Sequence, residues 1–415
     1  MGKPARRTID RMQAATRPRV LILVENLSVP RDKRVWPECR ALVRAGYDVT
    51  VICPRGDELD TTPFERVEDV EIHRYAATFA TGSTAGYLRE YATALWRMSR
   101  LARRLAAGRG FDIVHACNPP DLLLLAAVPL KLRGAKLVFD HHDLVPELYE
   151  CRFRSGGLLY RFARLAERVT FALADVVISP NESYRRLALQ RGAKRPEDVF
   201  VVRNAPDPAR LRPEDGDPAL RRGREHLLAY VGVMGPQDGV DLAVRSLGHL
   251  RRMRDDWHAV FVGDGDMLEH ARALAHEVGI GDVVEFTGFL HDADGVRRVL
   301  ASADVCLAPE PKNPLNDAST MIKIAEYMAM ERPVVAFDLA ESRVTAGAAA
   351  VYASPNDPSS FARCISGLLD DPERRASMGA AGRERVENGL SWEQSRRCLL
   401  DAYARALGGR PPARV

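Results

Sequence analysis

The 415-residue sequence lacks the cysteine pattern of a disulfide-bonded or zinc-binding protein. Its seven cysteines are scattered and include no C-x-x-C pair, so neither a disulfide scaffold nor a zinc site is expected. A charge of one sign is also lacking, because 60 Lys and Arg face 56 Asp and Glu. The net charge of +4 does not indicate nucleic-acid binding. These features favour a protein of the reducing cytoplasm.

No long hydrophobic run is present. The first apolar run, Val20–Val24, is far shorter than the ~18 residues of a membrane-spanning helix. Residues 1–18 lack the cleavage site of a signal peptide and are expected to form a disordered basic arm. The apolar fraction of 46% is that of a globular protein, and the length indicates two or three domains with real cores.

Short β-branched runs alternate with longer amphipathic segments, which predicts βαβ units and parallel sheets buried on both faces. The alternation occurs once before and once after a polar, proline-rich segment. The first set of runs is Val20–Val24, Val49–Cys53, Val70–Arg74, Asp112–His115, Lys136–Asp140, Asp175–Ser179 and Val199–Arg203. The second set is Leu227–Gly232, Ala259–Gly265, Val283–Gly288, Asp304–Glu310, Pro333–Asp338 and Ala349–Tyr352.

The predicted fold class is α/β, with two Rossmann-like doubly wound domains that face each other across a cleft. We predict an N-terminal domain over residues 19–206, a linker over 207–225 and a C-terminal domain over 226–390. Ligands of such sheets bind at the carboxyl ends of the strands, so the cleft is the expected active site.

A glycine turn, Gly263-Asp264-Gly265, follows one of the predicted strands and precedes a predicted helix over Met267–Val278. A dinucleotide-binding fingerprint needs a third glycine where Leu268 stands, so the turn gives weak support to a dehydrogenase. In another interpretation the protein is a metal-dependent sugar transferase, and Asp264 and Asp266 are its metal-binding carboxylate pair. We prefer a solvated strand-to-helix turn.

Residues 313–330 hold the densest set of candidate functional groups. Ser319 or Thr320 can cap a helix that runs to Met330, and the N–H groups at such a helix start bind phosphate. Lys323 and Glu326 are three residues apart and share one helix face. A cation there suits a diphosphate and a carboxylate suits a ribose diol; an ordinary surface ion pair is the alternative.

Polar side chains also follow two strands of the first domain. His142 and Asp143 follow the strand that ends at Asp140, and His115 and Asn118 lie at the end of a neighbouring strand. Groups at these positions project toward the site of an α/β sheet. The loop after the first strand is polar as well, and its charges either shape an acceptor pocket or lie in solvent.

From Val20 to about Leu407 the sequence resembles the retaining, family 4-type glycosyltransferases of the GT-B fold. The resemblance is carried by the block KIAEYMA that begins at Lys323 and the RPVV that follows it, by DIVH with ACNP, and by AYVG in the second domain. The closing DDPE and SWE motifs are similar to those of the family's last helices. We therefore expect residues 391–409 to pack back on the N-terminal domain.

The resemblance implies transfer of a hexosyl group from a nucleoside diphosphate sugar, such as a UDP-sugar, to an acceptor hydroxyl, without metal or another cofactor. The C-terminal domain would bind the donor and the N-terminal domain the acceptor. Glu326 matches the glutamate that holds the donor ribose, and His142 matches the histidine near the reacting carbon. The first glutamate of the family's E-x7-E pair is Ala318 here, and we expect the adjacent Asp317 and Asn316 to take over its hydrogen bonds to the donor sugar.

The expected site residues fall into three groups by role. Catalytic contacts are expected from His142, Asp143 and Asp317; donor contacts from Gly232, Gly235, Arg203, Ser319, Thr320, Lys323 and Glu326; and acceptor contacts from Asn26, Arg31, Arg34, His115 and Asn118.

Three positions depart from the family pattern. Val233 and Asp238 stand where the family has an Arg and a Lys that bind the diphosphate, and Ala318 replaces a glutamate. Two alternatives follow: a non-catalytic nucleotide-sugar-binding partner, and a sugar-nucleotide epimerase or hydrolase on the same fold.

Two basic amphipathic segments, Tyr87–Gly108 and Arg152–Phe171, allow two interpretations. Their apolar faces either pack on the sheet or dock on anionic lipid. Docking would put the enzyme on the inner face of the membrane with a lipid-linked acceptor; a growing polysaccharide or a small metabolite is the other kind of acceptor.

Overall fold

The computed structural model describes residues 17–56, 60–77, 84–108, 110–153, 157–208, 210–290 and 292–409. The predicted arm over residues 1–18 therefore lies outside the described residues except for its last two. In the described ranges the strands are β1 (Arg19–Leu23), β2 (Asp48–Pro54), β3 (Phe64–Val67), β4 (Val70–Tyr75), β5 (Ile113–Cys117), β6 (Lys136–Asp140), β7 (Val176–Ser179), β8 (Val199–Val201), β9 (His226–Val231), β10 (Trp257–Val262), β11 (Val284–Gly288), β12 (Val305–Ala308), β13 (Val334–Phe337) and β14 (Ala350–Ala353).

The α-helices follow the strands along most of the chain. They are α1 (Val35–Arg44), α2 (Thr84–Leu105), α3 (Val128–Lys131), α4 (Val145–Phe153), α5 (Leu158–Leu173), α6 (Glu182–Gly192), α7 (Val240–Arg251), α8 (Leu268–Glu277), α9 (Ala293–Ser302), α10 (Pro314–Ala318), α11 (Ile322–Ala329), α12 (Ala340–Ala346), α13 (Pro358–Leu369), α14 (Pro372–Gly389) and α15 (Trp392–Ala406).

The first sheet has eight strands in the order β3-β4-β2-β1-β5-β6-β7-β8. The pairs β1 with β2, β1 with β5, β2 with β4, β5 with β6 and β7 with β8 are parallel. All seven runs predicted here as strands form strands. The eighth, β3, was not predicted: it has four residues, pairs antiparallel with β4 and alternates between exposed and half-buried positions, so it lacks a hydrophobic run.

The second sheet has six parallel strands in the order β11-β10-β9-β12-β13-β14. Alternate residues of β9 belong to two different hydrophobic clusters. Leu228 and Tyr230 pack with residues of α7, α8 and α13, whereas Leu227 and Ala229 pack with residues of α9 and α11. Helices cover both faces, which explains why these strands are continuous hydrophobic runs. The predicted fold class of two Rossmann-like doubly wound domains is confirmed.

The chain divides into two compact units. One comprises the described residues up to Asp140, Leu173–Val176 and the chain from Leu400 onward; the other comprises His141–Ala172 and Val177–Leu399. Residues 141–172 and 177–206 thus fall in the compact unit that also holds the second sheet, although the predicted N-terminal domain includes them. The end of α15 belongs to the first unit, where the Tyr403 hydroxyl lies 2.7 Å from His115 Nδ1.

The two basic amphipathic segments differ in how they pack. In α2, Ala94, Met98 and Ala102 are buried. In α5 the residues at the expected apolar face are exposed instead: Leu158 by 83%, and Phe162 and Leu165 by more than half. The expectation that this face packs on the sheet is therefore wrong for α5. The helix buries Ala166, Thr170 and Phe171 instead. In the described part of the chain no helix has the length and apolar character of a membrane span.

Candidate functional site

Lys323 is a residue of α11, and its side chain reaches the carboxyl end of β9. Its ammonium Nζ is 2.6 Å from Glu310 Oε1 and donates a hydrogen bond of 3.0 Å to the Tyr230 hydroxyl. Nζ also lies 4.3 Å from the centre of the Tyr230 ring, within cation–π range. A Cβ atom added to Gly232 would lie 2.9 Å from Nζ, so a side chain there would displace the end of the lysine from this strand end.

Glu310 was not predicted as a site residue. It follows β12 and is 1% exposed, so its carboxylate is a buried charge that requires a cation. Burial lowers the pKa of Lys323, but the charges of Glu310 and the tyrosine hydroxyls around it raise the pKa well above its ordinary value. Lys323 therefore stays protonated. The sequence signal for Glu310 was a carboxylate at the end of a predicted buried strand. The spacing along the chain gives no sign that Glu310 pairs with Lys323.

The glycine turn after β10 supports the loop after β9. Gly263 has a φ of +135°, and a Cβ atom there would lie 1.8 Å from the Gly232 carbonyl oxygen. The Met234 amide donates to the Asp264 carbonyl at 2.9 Å, and the Met267 amide donates back to the Met234 carbonyl at 2.8 Å. The Asp264 and Asp266 side chains are exposed. The turn therefore holds two loops together, as the strand-to-helix interpretation requires.

The expected helix cap at Ser319 or Thr320 is wrong. The segment forms two helices, and α11 begins at Ile322 after Met321, whose side chain makes no capping hydrogen bond. The shorter helix α10 comes first because Pro314 suits a first helical position and Asn313 caps it, accepting from the Asn316 amide at 2.9 Å.

The two hydroxyls have other partners. Thr320 Oγ1 accepts a hydrogen bond of 2.9 Å from Asn181 Nδ2, and Ser319 Oγ donates to the Leu315 carbonyl at 2.7 Å. Ser319 Oγ is also 3.0 Å from the Tyr184 hydroxyl. Asn181 and Tyr184, which sequence reasoning missed, hold the segment that precedes Lys323.

The side chains of Asn316 and Asp317 both form hydrogen bonds with backbone groups. Asn316 is buried, and its Nδ2 donates to the carbonyls of Gln237 and Pro311 at 2.9 Å each. Asp317 Oδ1 accepts from the Ala340 amide at 2.9 Å, and its side chain is 36% exposed. Asn316 thus joins the loop after β9 to the segment that carries α10.

The remaining predicted donor residues lie on three segments. Glu326 is half-buried on α11, one turn after Lys323. The Gly235 amide donates to Asp238 Oδ2 at 3.0 Å, so Asp238 stabilises the loop where the family has a lysine. Arg203 follows β8, and its Nη1 is buried with no hydrogen-bond partner among the described residues.

His141 and His142, which follow β6, differ in burial. His141 is fully buried, and its ring packs on Phe171 and Tyr184 at centroid distances of 5.0 and 5.3 Å. His142 and Asp143 are half-buried. Only the second histidine is therefore partly accessible at this strand end.

A cavity of about 360 Å³ is lined by one of the three departures from the family pattern, Ala318, and by Asp317, which is expected to compensate for it. Asp317 and Ala318 of α10 line it with Glu147 of α4 and Arg191 of α6. The Arg191 guanidinium is 2.5 Å from Glu147 Oε1, so the cavity contains a paired carboxylate beside the exposed Asp317.

Two of the predicted acceptor residues, Arg34 and His115, are buried inside the first unit. Arg34 donates two hydrogen bonds to Asp140, at 2.7 and 2.6 Å, and is 7% exposed. Burial lowers the pKa of Arg34, but Asp140 and Glu38 raise it above its ordinary value. His115 is fully buried and lies 3.8 Å from Asp140 Oδ2.

The other three acceptor candidates differ in burial. Asn118 is fully buried, and its Nδ2 donates to Asp121 at 2.8 Å. Asn26 is exposed, and Arg31 is 43% exposed and pairs with Asp60 at 3.1 Å. Of the five predicted acceptor residues, only Asn26 and Arg31 are exposed in the described structure.

Comparison with known proteins gives consistent matches. The "Glycosyl transferase 4-like domain" family model matches residues 32–205, and the "Glycosyl transferases group 1" model matches residues 225–371. The D-inositol 3-phosphate glycosyltransferase of Salinispora tropica is 28% identical over 296 residues, which are 66% of this chain and 60% of that protein. The chain thus spans about three fifths of that relative's length.

Two solved structures share the fold. Sucrose-phosphate synthase from Thermosynechococcus elongatus has a TM-score of 0.76 at 18% identity, covering 95% of this chain and 100% of that one. Anabaena Alr3699/HepE in complex with UDP-glucose has a TM-score of 0.70 at 15% identity, covering 93% and 99%. At these identities the matches establish the fold alone.

Proposed function

We propose the reaction of this chain from the side chains held at the carboxyl end of β9. The chain belongs to the family 4-type glycosyltransferases with the GT-B fold. The chain is a glycosyltransferase. It transfers a hexosyl group from a nucleoside diphosphate sugar to an acceptor hydroxyl, and the anomeric configuration is retained. The single observation that carries this proposal is the protonated Lys323 fixed between Glu310 and Tyr230 beside Gly232.

Donor binding is assigned to the second sheet. Lys323 would contact the diphosphate, and Gly232 and Gly235 let a phosphate approach the backbone closely. Glu326, one turn along α11, would accept hydrogen bonds from the ribose diol. The UDP-glucose bound by the Anabaena neighbour of the same fold supports a donor of this class.

The positive charge at the diphosphate comes from side chains in this proposal. Lys323 and Arg203 carry it, and the latter has a buried Nη1 with no hydrogen-bond partner in the described part of the chain. Ser319 and Thr320 act by shaping the segment before α11, since their hydroxyls are held by Leu315 and Asn181. No divalent metal is required for this arrangement.

The chemistry consists of positioning and charge stabilisation. The bond between the anomeric carbon and the diphosphate oxygen breaks, and a bond from the acceptor oxygen forms on the same face. The leaving diphosphate takes the acceptor proton while Lys323 balances its charge. His142 would hydrogen-bond the donor sugar as positive charge develops on it, with Asp143 and Asp317 holding further hydroxyls.

Acceptor binding is assigned to the first unit. Asn26 and Arg31 would contact the acceptor directly, because they are exposed. Arg34, His115 and Asn118 would shape the pocket through their buried hydrogen bonds, a role that the Arg34–Asp140 pair supports.

A lipid-linked acceptor is favoured by one observation on α5. Leu158, Phe162 and Leu165 form an exposed apolar stripe, and Arg161 and Arg168 on the same helix are also exposed. Apolar side chains flanked by arginines suit the surface of an anionic membrane. Membrane association on the inner leaflet would bring the enzyme to such an acceptor.

Product analysis with a panel of nucleotide sugars and an acceptor extract tests the proposal. We expect an acceptor-dependent product, formed in excess EDTA, whose new linkage has the donor's anomeric configuration by NMR. No turnover of any donor would favour a non-catalytic partner. A product formed equally without acceptor would favour an epimerase or hydrolase, and activity that needs Mn²⁺ or Mg²⁺ would overturn the metal-independent mechanism.

A further inference from the structure

The cavity of about 360 Å³ lies within one compact unit, the unit that also holds the second sheet. Its lining residues belong to α4, α6, α10 and α12, except for Leu144, which directly precedes α4. None of the residues proposed to bind the diphosphate or the ribose lines the cavity. Of its lining residues, the proposed reaction uses only Asp317.

One carboxylate of this cavity has a buried oxygen atom without a partner. The Glu147 side chain is 5% exposed, and its Oε1 lies 2.5 Å from the Arg191 guanidinium. Its Oε2 is buried and has no hydrogen-bond partner among the described residues. Buried polar atoms in folded proteins are almost always hydrogen-bonded. Oε2 therefore indicates a hydrogen-bond donor that the described chain does not supply.

The charged side chains that line the cavity indicate a neutral donor. Two carboxylates, Glu147 and Asp317, stand with two guanidinium groups, Arg186 and Arg191. Arg186 Nη2 donates to Ser183 Oγ at 2.8 Å. A cationic ligand would lie beside both guanidinium groups, and an anionic one would lie beside both carboxylates. A hydroxyl group donates one hydrogen bond to Oε2 and adds no charge.

The rest of the cavity suits the carbon skeleton of a sugar. Leu144, Leu187 and Ala318 line it and belong to one hydrophobic cluster. Small-molecule sites combine such apolar walls with a few placed polar groups, in volumes of ~300–1,000 Å³. A cavity of about 360 Å³ is at the small end of that range, which suits one sugar residue.

We propose that this cavity binds one neutral sugar residue, and that Glu147 Oε2 accepts a hydrogen bond from one of its hydroxyl groups. The inference rests on the proposed function, because a glycosyltransferase handles a sugar in its donor and, with a glycan acceptor, a second one. Both sources present the same hydroxyl chemistry, and two arms of one experiment separate them.

The donor arm compares nucleotides with and without a sugar. Calorimetric titration of the full chain gives dissociation constants for UDP, UDP-glucose and UDP-galactose, and for GDP and GDP-mannose. The acceptor arm uses NMR titration with the methyl α-glycosides of the same three sugars. The sugar contribution is the ratio of the nucleotide to the nucleotide-sugar dissociation constant in the first arm, and the affinity for the glycoside in the second.

Glu147→Gln should lower the sugar contribution about tenfold in one arm, because a neutral amide accepts a weaker hydrogen bond than a carboxylate. Binding of UDP and GDP should not change. A loss in the donor arm assigns the cavity to the transferred sugar, and a loss in the acceptor arm assigns it to an acceptor glycan.

Two further variants separate contact with the sugar from an effect on structure. Glu167→Gln is the matched control: Glu167 is fully buried and accepts from Arg191 Nη1 at 3.3 Å, but does not line the cavity. It should leave the sugar contribution unchanged. Ala318→Phe fills the cavity and keeps the Glu147–Arg191 pair, so it should abolish the sugar contribution. It also tests the proposal if Glu147→Gln does not fold.

Three results would overturn the proposal: a sugar contribution that Glu147→Gln leaves intact in both arms, an equal loss in Glu167→Gln, or no sugar contribution with any of these probes. UDP and GDP test the proposed donor site separately. Nucleotide binding without an effect of Glu147 removes the sugar site alone. A glycoside that binds through Glu147 without nucleotide binding supports the sugar site and removes the proposed donor site.

Discussion

Lys323 is the residue on which the proposed donor site depends most, because its partner is a buried carboxylate. A single lysine beside Glu310 forms a neutral pair, and a diphosphate must compete with that carboxylate for the ammonium. Tyr230 also holds the ammonium, and its own hydroxyl donates to the Val233 carbonyl at 2.7 Å. The lysine is therefore fixed in place before any ligand binds.

Substitution of the two partners should have opposite effects on nucleotide binding. Lys323→Gln should weaken binding of nucleoside diphosphate about 10- to 100-fold and lower stability by about 3–5 kcal/mol, because Glu310 stays buried without a cation. Glu310→Gln should leave binding equal or tighter, since the ammonium no longer has a competing carboxylate. Calorimetric titration and thermal unfolding measure both. Equal weakening in the two variants would show that the pair acts only through structure.

The two neighbouring histidines should differ in what they affect. His142→Ala should lower kcat about 10²- to 10³-fold with little change in KM, if the histidine contacts the sugar mainly in the transition state. His141→Ala removes a buried ring that packs on Phe171 and Tyr184, and should lower stability by roughly 3 kcal/mol. Steady-state kinetics and thermal unfolding distinguish the two. Normal turnover in His142→Ala would exclude it from the site.

Stability should depend on pH through Glu25. Its pKa is raised from 4.5 to about 7 in the folded protein, so the folded state keeps a proton that the unfolded state has lost. The protonated Glu25 therefore contributes its full stabilisation below pH 4.5, and this contribution is lost as pH rises to about 7. The change in the free energy of unfolding is roughly 3 kcal/mol at most. Denaturation of the wild type and Glu25→Gln at pH 5 and pH 8 measures it. An equal pH dependence in the two proteins would contradict the assignment.

Single residues were predictable where a local pattern carries the chemistry. The placement of Lys323 and Glu326 one turn apart on α11 follows from their spacing, and that of His142 from its position after a strand, while their roles stay predictions. Glu310 and Asn181 were not predictable in this way, because their partners lie 13 and 139 residues along the chain. Such pairings depend on how the strands assemble.

At the scale of elements, the segment before the donor lysine is the main surprise. One helix from Thr320 to Met330 was expected, and the structure has α10 and α11 with Ser319 between them. Asn313 and Pro314 are the sequence signal for the first helix, because an Asn cap followed by a proline marks a helix start. This start lies seven residues before the cap expected at Thr320. The strands were easier to predict because buried parallel strands are continuous apolar runs.

Gly263→Ala tests the contact between the two loops that frame the proposed donor site. A methyl group there would lie 1.8 Å from the Gly232 carbonyl, and the φ of +135° disfavours any side chain, so we expect a loss of several kcal/mol. Gly367→Ala on α13 meets nothing within 4 Å and should be neutral or stabilising by up to ~1 kcal/mol. Thermal unfolding compares them. A tolerated Gly263→Ala would show that the loops can separate without loss.

At the scale of the whole molecule, two parallel sheets could be predicted from the repeated alternation of strands and amphipathic helices. The assignment of residues 141–172 and 177–206 to the same compact unit as the second sheet could not, because composition changes only at the later, proline-rich segment. The family resemblance was needed for the last helix, whose Tyr403 lies beside His115 in the first unit. A hydroxyl near the chain end gives no local sign of a partner 288 residues away.

Calorimetric titration of the full chain with UDP and GDP in excess EDTA tests the central claim most directly. The account predicts saturable binding of one of the two nucleotides without metal, weakened by about 1.5–3 kcal/mol in Glu326→Ala at unchanged thermal stability. Binding that requires Mn²⁺ or Mg²⁺, or an affinity that Glu326→Ala does not change, would contradict the donor site on which the proposed reaction depends.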